Sequence, residues 1–240
     1  MQTLVNSVSK SLPKAKSQPL KVIALGDSLV YGYGDPEGGG WVERLRRCWM
    51  YSGDTGHVLY NLGVRGDRVR QVANRLEIEF RHRGELRNRV PDVLILSVGV
   101  NDSARIGRPD GRNYTELDIF QKDIAVLLDL AQSLCPVIFV GMVPVDELQM
   151  PFLDTFYYNL ADQFRYKETT KQACLSRQIP YLDIFDLWME RGEDWRRSRL
   201  CDDGLHPNVA GYKSLLQDVF SWEPIASLAK VSDTTRPALG

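Results

Sequence analysis

A serine hydroxyl becomes a strong nucleophile only beside a base, and this 240-residue chain holds three histidines that could serve, His57, His82 and His206. His206 stands in the run Asp202-Asp203-Gly204-Leu205-His206-Pro207, where Asp203 can fold back onto the imidazole and Gly204 supplies the backbone freedom for that return. A carboxylate on one ring nitrogen fixes the tautomer, leaves the other nitrogen free to accept a proton, and stabilises the imidazolium that forms. The plainer reading of the same run is a helix start, with Asp202 or Asp203 as cap and Pro207 near the first turn, and the two readings are compatible. His57 opens a strand-like run. His82 lies between two arginines, whose charge disfavours a protonated imidazole. Both of these histidines read as structural.

The candidate nucleophile is Ser28, in Gly26-Asp27-Ser28-Leu29 directly after an apolar run. A serine at a strand-to-helix turn can present its hydroxyl and its own amide at the sheet edge, although Gly-Asp-Ser is also an ordinary way to leave a strand and cap a helix. Acyl transfer further needs donors aimed at a developing oxyanion. Two stretches offer them: Asn61-Leu62-Gly63-Val64-Arg65-Gly66-Asp67, through a glycine amide, and Gly99-Val100-Asn101-Asp102, through the Asn101 side chain.

Short apolar runs alternating with segments of helical period would position these residues, a pattern of βαβ units around a parallel sheet buried on both faces. Strands are expected at 20–25, 57–62, 93–98, 137–142 and 181–184. Helical stripes run through Trp41, Leu45 and Trp49, through Val69, Val72, Leu76 and Phe80, and through Phe120, Ile124, Leu127 and Leu128. Ligands of open α/β sheets bind beyond the carboxyl ends of the strands, here the loops 26–40, 63–67, 99–112, 143–153 and 193–207. In loop 143–153, Met150, Pro151 and Phe152 either line an acyl pocket or anchor the loop to the core.

Residues 1–19 read as a disordered leader, 20–222 as one domain and 223–240 as a loose tail. Thirty basic against 31 acidic residues leave a formal charge of −1, so no global field recruits nucleic acid or an anionic membrane. The basic clusters at 81–89 and 196–199 read as solvated faces. Cys48, Cys135, Cys174 and Cys201 form neither a CxxC pair nor a disulfide framework, and no signal-peptide-like or bilayer-length apolar run is present. A cytoplasmic protein is expected, acting on a small molecule, with its oligomeric state left open.

Taken in order, the Gly-Asp-Ser-Leu turn at Ser28, the glycine at 66, the asparagine of Gly-x-Asn-Asp at 101 and the Asp-x-x-His of Asp203 and His206 resemble the named blocks of the SGNH hydrolases, also called GDSL esterases and lipases. The resemblance spans 20–212 and is closest to the small thioesterase and lysophospholipase members. It implies a flavodoxin-like three-layer α/β/α sandwich with a five-stranded parallel sheet, and an acyl-enzyme mechanism using no metal or cofactor. It also implies an oxyanion hole from the amides of Ser28 and Gly66 and the Asn101 side chain. The second block resembles Asn-x-x-x-x-Gly-Asp, which favours Gly66 over Gly63 in that role. Asp27 and Asp102 are expected to organise the loops that hold Ser28 and Asn101.

The chain departs from the family at Arg65, where a small residue is usual. That arginine either meets the substrate or pairs with an acid such as Asp67; in the first case Arg65, with Arg105, Arg108 or Arg112, would select a negatively charged substrate. Lipid esters including lysophospholipids, acyl thioesters and acetylated sugars all suit such machinery. Two readings of other classes compete: a doubly wound nucleotide binder using the glycine-rich stretch 32–40, which lacks Walker spacing and GxGxxG, and a catalytically silent binding module. Turnover of a simple ester separates both from an esterase.

Overall fold

The computed structural model describes residues 12, 19–50, 56–83 and 90–229. The five apolar runs pair in parallel as β1 (Lys21–Gly26), β2 (Val58–Gly63), β3 (Val93–Ser97), β5 (Val137–Val140) and β7 (Tyr181–Leu182). Their order across the sheet is β2-β1-β3-β5-β7, and two dipeptide strands, β4 (Arg105–Ile106) and β6 (Phe156–Tyr157), pair antiparallel outside it. Each expected strand is found within two residues of its observed bounds.

Alternation along the strands divides the core into two layers. Ile23, Leu25, Leu94, Leu96 and Phe139 face one layer, and Val22, Ala24, Val93, Ile95 and Ile138 face the other. Against the first layer pack α3 (Val69–His82), α4 (Leu117–Leu134) and α5 (Leu160–Leu175); against the second pack α2 (Gly40–Met50), α6 (Ile184–Glu190) and α8 (Val209–Ser221). Two shorter helices, α1 (Ser28–Tyr31) and α7 (Glu193–Arg197), lie at the sheet edge and before α8. This is the three-layer α/β/α sandwich. Trp41, Leu45 and Trp49 on α2, and Val69, Val72, Leu76 and Phe80 on α3, are buried as their period requires.

The chain leaves β1 for β2 on one side and later returns to β3 on the other. That reversal opens a crevice at the carboxyl ends of β1 and β3, where Ser28 and Asn101 emerge. Among the described residues, no helix is long and apolar enough to cross a membrane.

One expectation needs correction, and two rival readings lose their support. The stretch from 223 is not loose at its start: Glu223–Ala229 forms a helix, α9, whose Ile225 and Leu228 are buried in the second layer. Proline is tolerated in a first turn, so Pro224 does not oppose it. Residues 230–240 lie outside the described residues, as does most of 1–19, although Leu12 packs against the second layer. The cap of α8 is neither Asp202 nor Asp203 but Asn208, whose Oδ1 accepts from the Gly211 amide at 3.0 Å. The glycine-rich stretch, finally, is wrapped around the chain's own anion: the amides of Gly38 and Gly40 donate to the Asp35 carboxylate at 2.9 and 3.0 Å, and Arg44 pairs with it at 2.7 Å. The cradle offered to a phosphate is thus already filled.

The first basic cluster faces solvent where it is described, and the second is partly internal to the fold. Arg81 and Arg83 pair along α3 with Glu77 and Glu79, Arg196 is buried, and Arg197 pairs with Glu193 and Asp146; residues 84–89 lie outside the described residues.

Candidate active site

Ser28 is the first residue of α1 and sits at the end of β1, buried with its hydroxyl 2.8 Å from His206 Nε2. The Nδ1 of the same ring lies 2.7 Å from Asp203 Oδ2. The other carboxylate oxygen, Asp203 Oδ1, accepts from the backbone amides of Leu205 and His206, both at 2.9 Å. Burial opposes ionisation of Asp203, but the bonds from the His206 ring and from these amides outweigh it and hold the carboxyl below its usual range. The sequence places these two residues three positions apart, and Gly204 makes their approach possible. Its φ is +64°, and a Cβ there would meet Gln149 Cβ at 2.6 Å.

On the opposite side of the crevice, the turn after β2 brings Gly66, with φ +82°, to the cavity that Ser28 lines. Gly63 serves packing instead, because a Cβ there would meet the Tyr31 amide nitrogen at 2.1 Å. Asn101 opens a short 3-10 turn after β3; its Nδ2 donates to the Asp67 carbonyl at 2.9 Å, and its Oδ1 accepts from the Tyr158 hydroxyl at 3.2 Å. The amide is therefore held at both ends, and one N–H remains for the cavity. Burial pushes the Tyr158 phenol well up from its ordinary value, so it stays a donor.

Two buried acids tie the loops together. Asp102 accepts from the Val69 amide at the start of α3 at 3.0 Å and from the Thr115 hydroxyl at 2.7 Å, while burial raises its carboxyl to about 6. Asp27 accepts from the Leu29 amide at 2.9 Å and caps α1. Burial pushes Asp27 up to about 7 against that bond, and the nearby charges of Asp102 and Asp67 push the same way. Among the described residues its Oδ2 has no partner, which suits a protonated acid better than a carboxylate.

A consequence for stability follows from the sign of that shift. An aspartate whose folded pKa lies above its unfolded value of about 3.9 contributes stability that is complete in acid and lost as pH rises through the folded pKa. The Asp27→Asn variant keeps the neutral shape and should not show this loss. Between about pH 5 and about pH 8, urea unfolding should find wild type losing about 2–3 kcal/mol relative to the variant; parallel pH profiles would mean that Asp27 is ionised throughout.

The cavity at the crevice holds about 350 Å³ and is lined by Ser28, His206, Gly66 and Asn101 together with Arg65 and a largely apolar wall. Phe152, Leu153 and Phe156 contribute to that wall, so the loop after β5 does both things expected of it: Phe152 lines the cavity, whereas Met150 packs on the core. Phe152 and Tyr33 meet the His206 ring edge-on at 5.6 and 4.6 Å between centroids. Tyr33, Tyr114, Phe156 and Tyr158 escape a reading of the sequence because no motif or period marks them.

Arg65 does not pair with Asp67, the acid named for one of its two alternatives. Asp67 is taken by Arg75 at 2.8 Å, and the Arg65 guanidinium lies 4.0 Å over the Tyr33 ring at the cavity. Arg105 pairs with Asp162, and Arg108 pairs with Asp110 at 3.1 Å. His57 is structural as expected, bridging the Leu20 amide at 3.0 Å and the Leu228 carbonyl at 2.7 Å, and His82 is exposed on α3.

Residues 24–214 match the GDSL-like Lipase/Acylhydrolase family. The chain is 23% identical over 236 residues to the uncharacterized protein YpmR of Bacillus subtilis (strain 168), covering 91% of this chain and 88% of that one. Among solved structures it resembles a lipase/acylhydrolase from Enterococcus faecalis, with a TM-score of 0.67, 18% identity and coverage of 92% of this chain and 100% of that one. It also resembles a catalytic mutant of Axe2, an acetylxylan esterase from Geobacillus stearothermophilus, with a TM-score of 0.63, 16% identity and coverage of 86% and 96%.

Proposed function

The chain belongs to the GDSL-like Lipase/Acylhydrolase family and is a carboxylic ester hydrolase, and from that premise we propose that Ser28 is its nucleophile, His206 its general base and acid, and Asp203 the residue that orients the ring. The observation carrying this reading is the unbroken chain from hydroxyl to imidazole to carboxylate at 2.8 and 2.7 Å. Asp203 accepts the Nδ1 proton, so Nε2 is the free base facing Ser28.

Ser28 Oγ attacks the acyl carbonyl while His206 Nε2 takes its proton. The carbonyl oxygen becomes an oxyanion facing the amides of Ser28 and Gly66 and the Asn101 side chain, groups whose positions are fixed before substrate arrives. Collapse expels the alcohol or thiol, which takes the proton from His206 as it leaves. Water then enters and attacks the acyl carbon as it loses a proton to the same nitrogen, and the carboxylic acid is released as Ser28 Oγ takes that proton back from His206. Asp27 and Asp102 act at one remove, by holding the turns that carry Ser28 and Asn101.

The apolar wall of the cavity favours an acyl group there, with the leaving group toward the open side. Simple lipid esters, acyl thioesters and acetylated sugars remain the substrate classes to compare; the likeness to Axe2 adds weight to the last. A panel of p-nitrophenyl acetate, p-nitrophenyl octanoate, an acyl-CoA thioester and an acetylated xylooligosaccharide tests the proposal. Turnover should be found with at least one acyl ester and abolished in Ser28→Ala; turnover that survives in that variant would refute the assignment.

A further inference from the structure

We infer that the preferred substrate carries a negative charge on its leaving-group side and that Arg65 binds it. The inference rests on the serine-esterase reading above and names the chemistry that reading leaves open.

Arg65 is exposed, lines the same cavity as Ser28, and forms no ion pair among the described residues. Other arginines differ: Arg75, Arg105 and Arg108 are each neutralised by an aspartate. Stacking on Tyr33 occupies one face of the guanidinium and leaves its N–H edges open, the arrangement that suits a fork-like grip on an oxyanion. A second guanidinium, Arg68, lies 4.1 Å over Tyr114, a ring of the cavity wall.

Position makes the charge informative. The Tyr33 ring that carries Arg65 meets His206 edge-on, so the cation stands one ring away from the imidazole that must become positive during the reaction. A substrate anion held at Arg65 would therefore lie close to the ring that moves the proton. His206 delivers its proton to the departing alcohol or thiol, and this places the anion on the leaving group rather than on the acyl chain.

The test compares 4-butanoyloxybenzoate with its methyl ester, which share an acyl group and differ in charge on the leaving phenol. In Arg65→Met, the ratio of kcat/KM for the anionic ester to that for the neutral one should fall about tenfold from its wild-type value, mostly through KM. Taking this ratio across variants cancels the intrinsic difference in reactivity. Raising the salt concentration should erode the wild-type preference, and Arg108→Met should leave the ratio unchanged. A ratio that is the same in wild type and Arg65→Met, or that falls equally in Arg108→Met, overturns the inference. A parallel run with 4-butanoyloxyphenyl phosphate identifies whether carboxylate or phosphate fits better. Calorimetric binding of the anionic ester to Ser28→Ala, with and without Arg65→Met, reports the arginine independently of turnover. Hydrolysis of the neutral ester by wild type reports the esterase reading independently of the arginine.

Discussion

Replacing Ser28 with alanine is expected to yield a folded protein whose kcat on a simple acyl ester falls by about 10⁴-fold or more, the scale seen when a serine nucleophile is removed from a comparable triad. The hydroxyl contributes little to the fold. Among the described residues its side chain bonds His206 Nε2, and α1 is capped by Asp27 rather than by Ser28. Circular dichroism and the urea midpoint should therefore stay close to wild type while initial rates collapse. A rate within tenfold of wild type would show that the bond-breaking nucleophile lies elsewhere.

Asp203→Asn is expected to lower kcat by a similar factor of about 10⁴, through the wrong tautomer rather than through lost packing. The geometry dictates which way the new amide turns. Two backbone N–H groups, of Leu205 and His206, donate to the position of Oδ1, so the asparagine must place its carbonyl oxygen there. Its NH₂ group then faces His206 Nδ1, which must accept instead of donate. The ring proton moves to Nε2, and the nitrogen facing Ser28 loses the lone pair it needs. A variant that keeps more than about a tenth of wild-type kcat would mean that this carboxylate neither orients nor stabilises the ring.

The parts of the site readable from sequence are those whose partners lie close along the chain. Asp203 and His206 are three residues apart, so their pairing follows from local backbone geometry and one glycine. Ser28 and His206 are separated by 178 residues, and their meeting follows from the order of the strands across the sheet, which the apolar runs do not specify and which only the fold implied by the family resemblance supplies.

What escaped the reading did so for physical reasons. The buried positions of α5 include Asp162, Gln163, Lys167 and Thr170, so no apolar stripe marks the helix. Its polar residues are instead employed internally: Gln163 bonds the Val145 amide at 2.9 Å and the Val143 carbonyl at 3.1 Å, holding the start of the loop that carries Phe152 to the cavity. Lys167 is fully buried against Asp183 and Asp186 at 3.1 and 2.6 Å. The β4–β6 pair is two residues long on each side, too short for any period, yet it helps place Phe156 in the cavity wall. Arg65 stands out in the sequence as an oddity, but whether it is paired is set by folded contacts: Arg75, in the second turn of α3, takes Asp67.

A serine-directed reagent puts the central claim to its most direct test. After incubation with a p-nitrophenyl alkylphosphonate, intact-mass measurement and peptide mapping should find one adduct per chain, located on Ser28, with ester hydrolysis lost in proportion to labelling. An adduct on another residue, or full labelling of Ser28 with hydrolysis undiminished, would contradict the account.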